Sequence, residues 1–126
     1  MPTPQRLTPS ARTQSLLCAL KGIAIVLKSQ PNAWIHAAAT LTVAAAGFHF
    51  RLNHAEWCWI VLALTAVWTA EIFNTALEFL TDIASPSYHP LAGKAKDVAA
   101  GAVLSAAVGS ALIGSLIFIP HIAALF

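Results

Sequence analysis

The sequence predicts an all-α membrane protein: three transmembrane helices preceded by an amphipathic helix lying in the membrane interface. Three observations predict it. Hydrophobic residues make up 58% of the 126 residues and charged residues only 10%, against about 25% charged in ordinary soluble domains. Seven Lys and Arg with five Asp and Glu cannot cover the surface of a soluble domain, and a mean hydropathy of +0.72 excludes disorder. The apolar residues also fall into three stretches, each near the ~20 residues that a bilayer crossing needs. The length is that of one domain. A net charge of +2 is too small to indicate a nucleic-acid partner, and none is expected. Cys18 and Cys58 lack metal or disulfide spacing and read as small reduced side chains.

The elements follow in order. Residues 1–13 hold Pro2, Pro4 and Pro9 with Arg6 and Arg12; without an apolar run they are expected to form a flexible cytoplasmic tail. Over 14–30, Leu16, Leu20, Ile23 and Leu27 recur at helical spacing. Gln14, Lys21 and Lys28 form a separate stripe, so this helix has a cationic face and suits the membrane surface. Lys21 interrupts the apolar run and no A-x-A site follows, so a signal peptide is not expected. Pro31 ends the helix. The membrane domain is thus 14–126, with its first span at about 32–50. A polar turn, 51–56, leads to the second span at about 57–82, which opens on Trp57 and Trp59 as an interfacial belt. Residues 83–97, with Pro86 and Pro90, form a loop. The third span is about 98–126, and Pro120 leaves open whether it breaks. Basic residues lie before the first span and in the 83–97 loop, which places both in the cytoplasm and the C-terminus on the other side.

The second span carries Glu71, Asn74, Glu78 and Asp82 at i, i+3, i+7 and i+11, a single stripe on a helix. An ionised group near the bilayer centre costs at least ~3 kcal/mol. Such groups persist where they line a wet cavity, bind cations or pair with a partner, so the stripe reads as functional. Lys94, Lys96 and Asp97 open the third span, and a Lys beside an Asp near acids on the preceding helix suits a polyphosphate with its metal. Gly101, Ser105 and Gly109 are spaced four apart, as are Ser110 and Gly114, a spacing that lets helices approach closely. His36, His49, His54, His89 and His121 are scattered, and none is assigned to a site. No P-loop, G-x-G-x-x-G or nucleophile elbow is present, so a nucleotide site must be built from helix side chains.

Residues 71–82, EIFNTALEFLTD, resemble the signature of the small bacterial integral-membrane diacylglycerol kinase family, which includes undecaprenol kinases. Residues 85–90, SPSYHP, resemble its cytoplasmic loop, and residues 94–103, KAKDVAAGAV, its second signature. The resemblance runs from about residue 14 to the C-terminus. It implies a homotrimeric, multi-pass enzyme of the bacterial inner membrane that transfers the γ-phosphate of ATP to a lipid hydroxyl, with Mg²⁺ on the nucleotide. Carried over by motif position, Glu71 would be the general base and Glu78 a metal ligand. Asn74, Glu78, Asp82, Lys96 and Asp97 would bind the nucleotide and its phosphates. Gln30 stands where many members carry a second metal-binding Glu, and would offer a neutral oxygen instead. Ala33-Trp34 replaces an aromatic-basic pair, and Ala100 replaces a serine of the second signature, a pattern that leans toward undecaprenol kinases. Diacylglycerol and undecaprenol both remain open as substrates. The competing readings are a non-catalytic membrane subunit that uses the acids as an assembly seam, and an ion conduit.

Overall fold

Prolines and polar caps divide the chain into helices. The computed structural model describes residues 9–126, which form α1 (Pro9–Ser29), α2 (Pro31–His49), α3 (His54–Ala84) and α4 (Pro90–Ala123). Residues 1–8, with Pro2, Pro4 and Arg6 of the expected tail, lie outside the described residues. Residues 9–13, expected in that tail, are instead the start of α1. The reason is the proline itself. Its fixed φ suits a first helical turn, and the N–H it lacks would have had no partner there. The same effect shortens the expected 83–97 loop to 85–89. Pro90 begins α4, and the His89 ring caps it by accepting the backbone N–H of Leu91 through Nδ1 at 3.2 Å. Pro120 lies near the end of α4 without breaking it, and the helix continues to Ala123.

α3 and α4, of 31 and 34 residues, are long and apolar enough to cross a membrane. α2, with 19 residues that include Asn32, His36 and His49, does not reach that mark. α3 and α4 make the most extensive helix contact and run antiparallel. Along them Asp82 meets Lys96, the Ser110 hydroxyl donates to the Ala63 carbonyl at 2.9 Å, and Glu56 meets His121 at 2.9 Å. α2 packs on α3, also antiparallel: the Trp68 indole donates to Thr40 Oγ1 at 3.1 Å, and Phe48 lies against Trp57 with ring centres 5.0 Å apart. α1 contributes Val26 to the core. The interior is small and partly polar: Ile60, Ala63, Val67 and Ala99 are buried together with Glu71, Asn74 and Thr75. Outward-facing Leu112 and Leu116 are exposed, the inside-out distribution that a hydrocarbon solvent favours. Gly101, Gly109 and Gly114 make no close helix approach within the chain, since a Cβ added at any of them would meet nothing within 4 Å.

The end of the bundle opposite the 85–89 loop is built more tightly. α2 closes in a Schellman motif: the Leu52 N–H donates to the Gly47 carbonyl at 3.0 Å and the Arg51 N–H to the Phe48 carbonyl at 3.2 Å. Arg51 takes the left-handed position with φ 53°, where glycine is the usual occupant. Asn53 then opens α3 with a capping box, its side chain accepting the Glu56 N–H while the Glu56 carboxylate accepts the Asn53 N–H. Gly47 is required by space, because a Cβ there would stand 2.7 Å from the Trp57 ring.

Two stability changes follow at this end. Gly47→Ala should destabilise the fold by about 1–3 kcal/mol, as overpacking does. Arg51→Gly should stabilise it by roughly 1 kcal/mol, because a left-handed residue with a Cβ is relieved of its strain. Thermal unfolding in detergent micelles, read by circular dichroism, measures both.

Candidate active site

The stripe expected on the second span is present on α3 and faces a groove of about 290 Å³ between α2, α3 and α4. Glu71, Asn74 and Glu78 line it from α3, and Asn32 and His36 from α2. The α4 wall consists of Ala100, Val103, Leu104 and Ala107. Small side chains on that wall leave the room, and the acids on the opposite wall give it its charge.

Glu78 is held by two amides. The Asn74 Nδ2 donates to Oε1 at 2.9 Å, one helical turn away, and the Gln30 Nε2 donates to Oε2 at 2.7 Å. Gln30 is the single residue between α1 and α2. Its backbone occupies the N-cap position of α2, with φ −114° and ψ 114°, yet its side chain caps nothing in that helix and reaches α3 instead. A carboxylate offers about four lone-pair positions, so two amide donors leave capacity for a cation. The Asn74 Oδ1 is buried with no hydrogen-bond partner. Among the described residues no group of three or more His, Cys, Asp or Glu comes together as a metal cage. The available oxygen set is therefore one carboxylate and the amide oxygen beside it.

Glu71 lies two turns deeper. It is 1% exposed, and neither carboxylate oxygen has a hydrogen bond. Thr75 is one turn away, but its hydroxyl bonds the Glu71 backbone carbonyl at 2.9 Å and leaves the carboxylate free. The ionisable group facing it is His36, with Nε2 3.6 Å from Oε2. A buried polar atom without a partner is costly, which makes Glu71 a candidate functional position.

Toward the 85–89 loop, Asp82 receives a hydrogen bond from Lys96 Nζ at 2.5 Å. Their side chains are 62% and 40% exposed, so the pair contributes under about 1 kcal/mol. Its effect is to hold an ammonium at the mouth of the site, beside a shallow cleft that Ser85, Tyr88 and His89 also border. Asp97, the next residue on α4, is exposed. Adjacent positions on a helix point about 100° apart, so the structure separates Asp97 from Lys96. Of the expected site residues, Glu71, Asn74 and Glu78 share one groove with Gln30 behind Glu78, Asp82 and Lys96 pair at the mouth, and Asp97 stands apart.

His36 was expected to be a scattered interfacial histidine, and the structure places it in the groove. The signal lay in the register. Gln30 opposite Glu78 on antiparallel helices brings a residue six positions on from Gln30 to a residue seven positions back from Glu78. Three of the other histidines do local work: His89 caps α4, His121 pairs with Glu56, and His49 lies edge-on to Phe50. From the inner end of the acidic groove an apolar one continues between the same helices. It has a volume of about 230 Å³, is lined by Val67, Trp68 and Gly114 among others, and shares His36 and Ala107 with the acidic groove.

Residues 17–118 match the family model for prokaryotic diacylglycerol kinases. The chain is 40% identical over 109 residues to an undecaprenol kinase of Bacillus subtilis, covering 86% of this chain and 89% of that one. It is 39% identical over 108 residues to a diacylglycerol kinase of Synechocystis, covering 82% of this chain and 60% of that longer protein.

Proposed function

We propose that this chain, which belongs to the prokaryotic diacylglycerol kinase family and is a lipid kinase, transfers the γ-phosphate of ATP to the hydroxyl of diacylglycerol or undecaprenol. The observation that carries the assignment of the site is Glu71. It is a buried carboxylate with no hydrogen bond, in the same groove as a second carboxylate whose side chain is already fixed by two amides. Phosphoryl transfer needs positioning, charge neutralisation and a group to orient the nucleophile. Glu71 serves as the base. The lipid oxygen bonds to the γ-phosphorus, the bond from that phosphorus to the β-bridging oxygen breaks, and the hydroxyl proton passes to the Glu71 carboxylate.

Glu78 and the unpartnered Asn74 Oδ1 fit Mg²⁺, which takes oxygen ligands and commonly one or two carboxylates plus substrate phosphates. When bound, that ion neutralises the phosphate charge. Gln30 holds Glu78 in place and adds no charge of its own. Lys96 and Asp82 bind the outer phosphates and nucleotide at the loop end, where exposed Asp97 also serves. Along α3, Asp82 and Glu71 are separated by about 16 Å, so ATP enters from the loop end and the lipid from the bilayer.

The rest of the reading concerns the membrane. α2, packed antiparallel on α3 with Trp34 and Leu41 exposed, forms a third span. α1 lies on the surface with Leu16, Leu20 and Ile23 exposed toward lipid. The basic residues put α1 and the 85–89 loop on the cytoplasmic side of the inner membrane. The open faces at Gly101 and Gly109 suit helices of two further copies in a homotrimer.

The test is phosphoryl transfer from labelled ATP with Mg²⁺ in micelles, with diacylglycerol and undecaprenol offered side by side. Label is expected in lipid, and Glu71→Gln should lower the rate by about 10²-fold or more with ATP binding intact. A folded, ATP-binding protein that labels neither lipid would overturn the proposal. Gln30→Glu sets a second carboxylate against Glu78. It should lower the Mg²⁺ concentration giving half-maximal rate and lower the melting temperature measured without Mg²⁺.

A further inference from the structure

The proton that Glu71 takes from the lipid hydroxyl has to leave it before the next turnover, and Glu71 is 1% exposed. We infer that His36 is the positioning residue that receives this proton from Glu71 and delivers it out of the groove, an inference that rests on the kinase reading of the site.

Two buried atoms without hydrogen-bond partners face each other here: His36 Nε2 and Glu71 Oε2, at 3.6 Å. With its hydrogen on Nδ1, the ring presents a lone pair at Nε2. A lone pair and a carboxylate do not bond, which suits a separation just beyond hydrogen-bond range. Once Glu71 carries the proton, its O–H can donate to Nε2 and the gap closes. Catalytic hydrogen bonds are commonly long before substrate arrives. The proton then moves to Nε2, Glu71 is again a carboxylate, and the imidazolium releases the proton to water. The balance is that of the whole reaction: one proton leaves the alcohol, and one reaches solvent.

The ring is held for this role. His36 meets Trp68 edge-on, with ring centres 6.3 Å apart and planes at 67°. The Trp68 indole donates to Thr40 Oγ1 at 3.1 Å, and that hydroxyl donates to the His36 carbonyl at 2.7 Å. The exit is also shorter from His36, whose side chain is 15% exposed against 1% for that of Glu71. The other titratable group facing this groove is Glu78, on α3, and each of its oxygens accepts an amide, from Gln30 and from Asn74. α4 contributes only Ala100, Val103, Leu104 and Ala107.

The experiment uses the full chain in micelles with ATP, Mg²⁺ and the lipid alcohol it phosphorylates, comparing wild type with His36→Ala, His36→Gln and Glu71→Gln. His36→Ala should lower kcat by about 10²-fold, leave the KM for ATP unchanged, and regain turnover several-fold on addition of free imidazole. Imidazole should not restore Glu71→Gln. His36→Gln keeps most of the side-chain volume, so with an unchanged melting temperature it should show the same loss of kcat. The inference falls if either folded His36 variant turns over within twofold of wild type, or if the loss lies in KM and imidazole has no effect. A wild type that labels no lipid would instead remove the kinase reading. An active wild type and an inactive Glu71→Gln alongside fully active His36 variants would remove this inference alone.

Discussion

Half-buried Glu78 takes hydrogen bonds from two amides, and the meeting of α1, α2 and α3 is organised around that carboxylate. One amide comes from Asn74 on the same helix. The other comes from Gln30, the residue at which α1 ends and α2 begins. The cost is visible in α2. An N-cap side chain normally accepts a backbone N–H of the first turn, and Gln30 does not. Asn53, remote from the site, makes a full capping box at the start of α3. Pro31 eases the loss, since the first turn of α2 has one fewer N–H to satisfy. Local helix stability is thus given up at a helix start whose flanking side chain is needed elsewhere.

Most of the architecture could be read from the chain, because apolar runs separated by short polar segments leave few alternatives. The errors collect at prolines. Pro9 and Pro90 look like breakers in a linear reading and act as helix starters, because a proline at the first helical position lacks only an N–H that would have stayed unpaired. Arg51 carries no sign of its left-handed backbone, which is imposed by the turn between two packed helices rather than by its own preference. The glycines at 101, 109 and 114 fit a close-packing pattern in the sequence, but no other part of this chain comes within 4 Å of the space they open.

The site divides in the same manner. Glu71, Asn74, Glu78 and Asp82 were legible because polar side chains at helical spacing stand out against Phe, Leu and Ala. Gln30 entered through its place in a familiar pattern, and its contact with Glu78 supplies the physical reason for that place. His36 was missed because no spacing within one helix marks it. Its meaning comes from the register between α2 and α3. Asp97 follows Lys96 in sequence but turns about 100° from it on α4, so its exposed side chain lies outside the pair that Lys96 makes with Asp82.

The length of α3 has a consequence of its own. Thirty-one residues rise about 46 Å, against a hydrocarbon layer of about 30 Å. One helix is therefore longer than the oil layer is thick, with Asp82 near its loop end and Glu71 toward its middle. A water-soluble phosphate donor and an oil-soluble alcohol can react along it while each remains dissolved in its own solvent. In the proposed reaction the helix is a fixed phase-transfer catalyst. The product it leaves behind is a surfactant whose new charge keeps its head at the boundary where it was made.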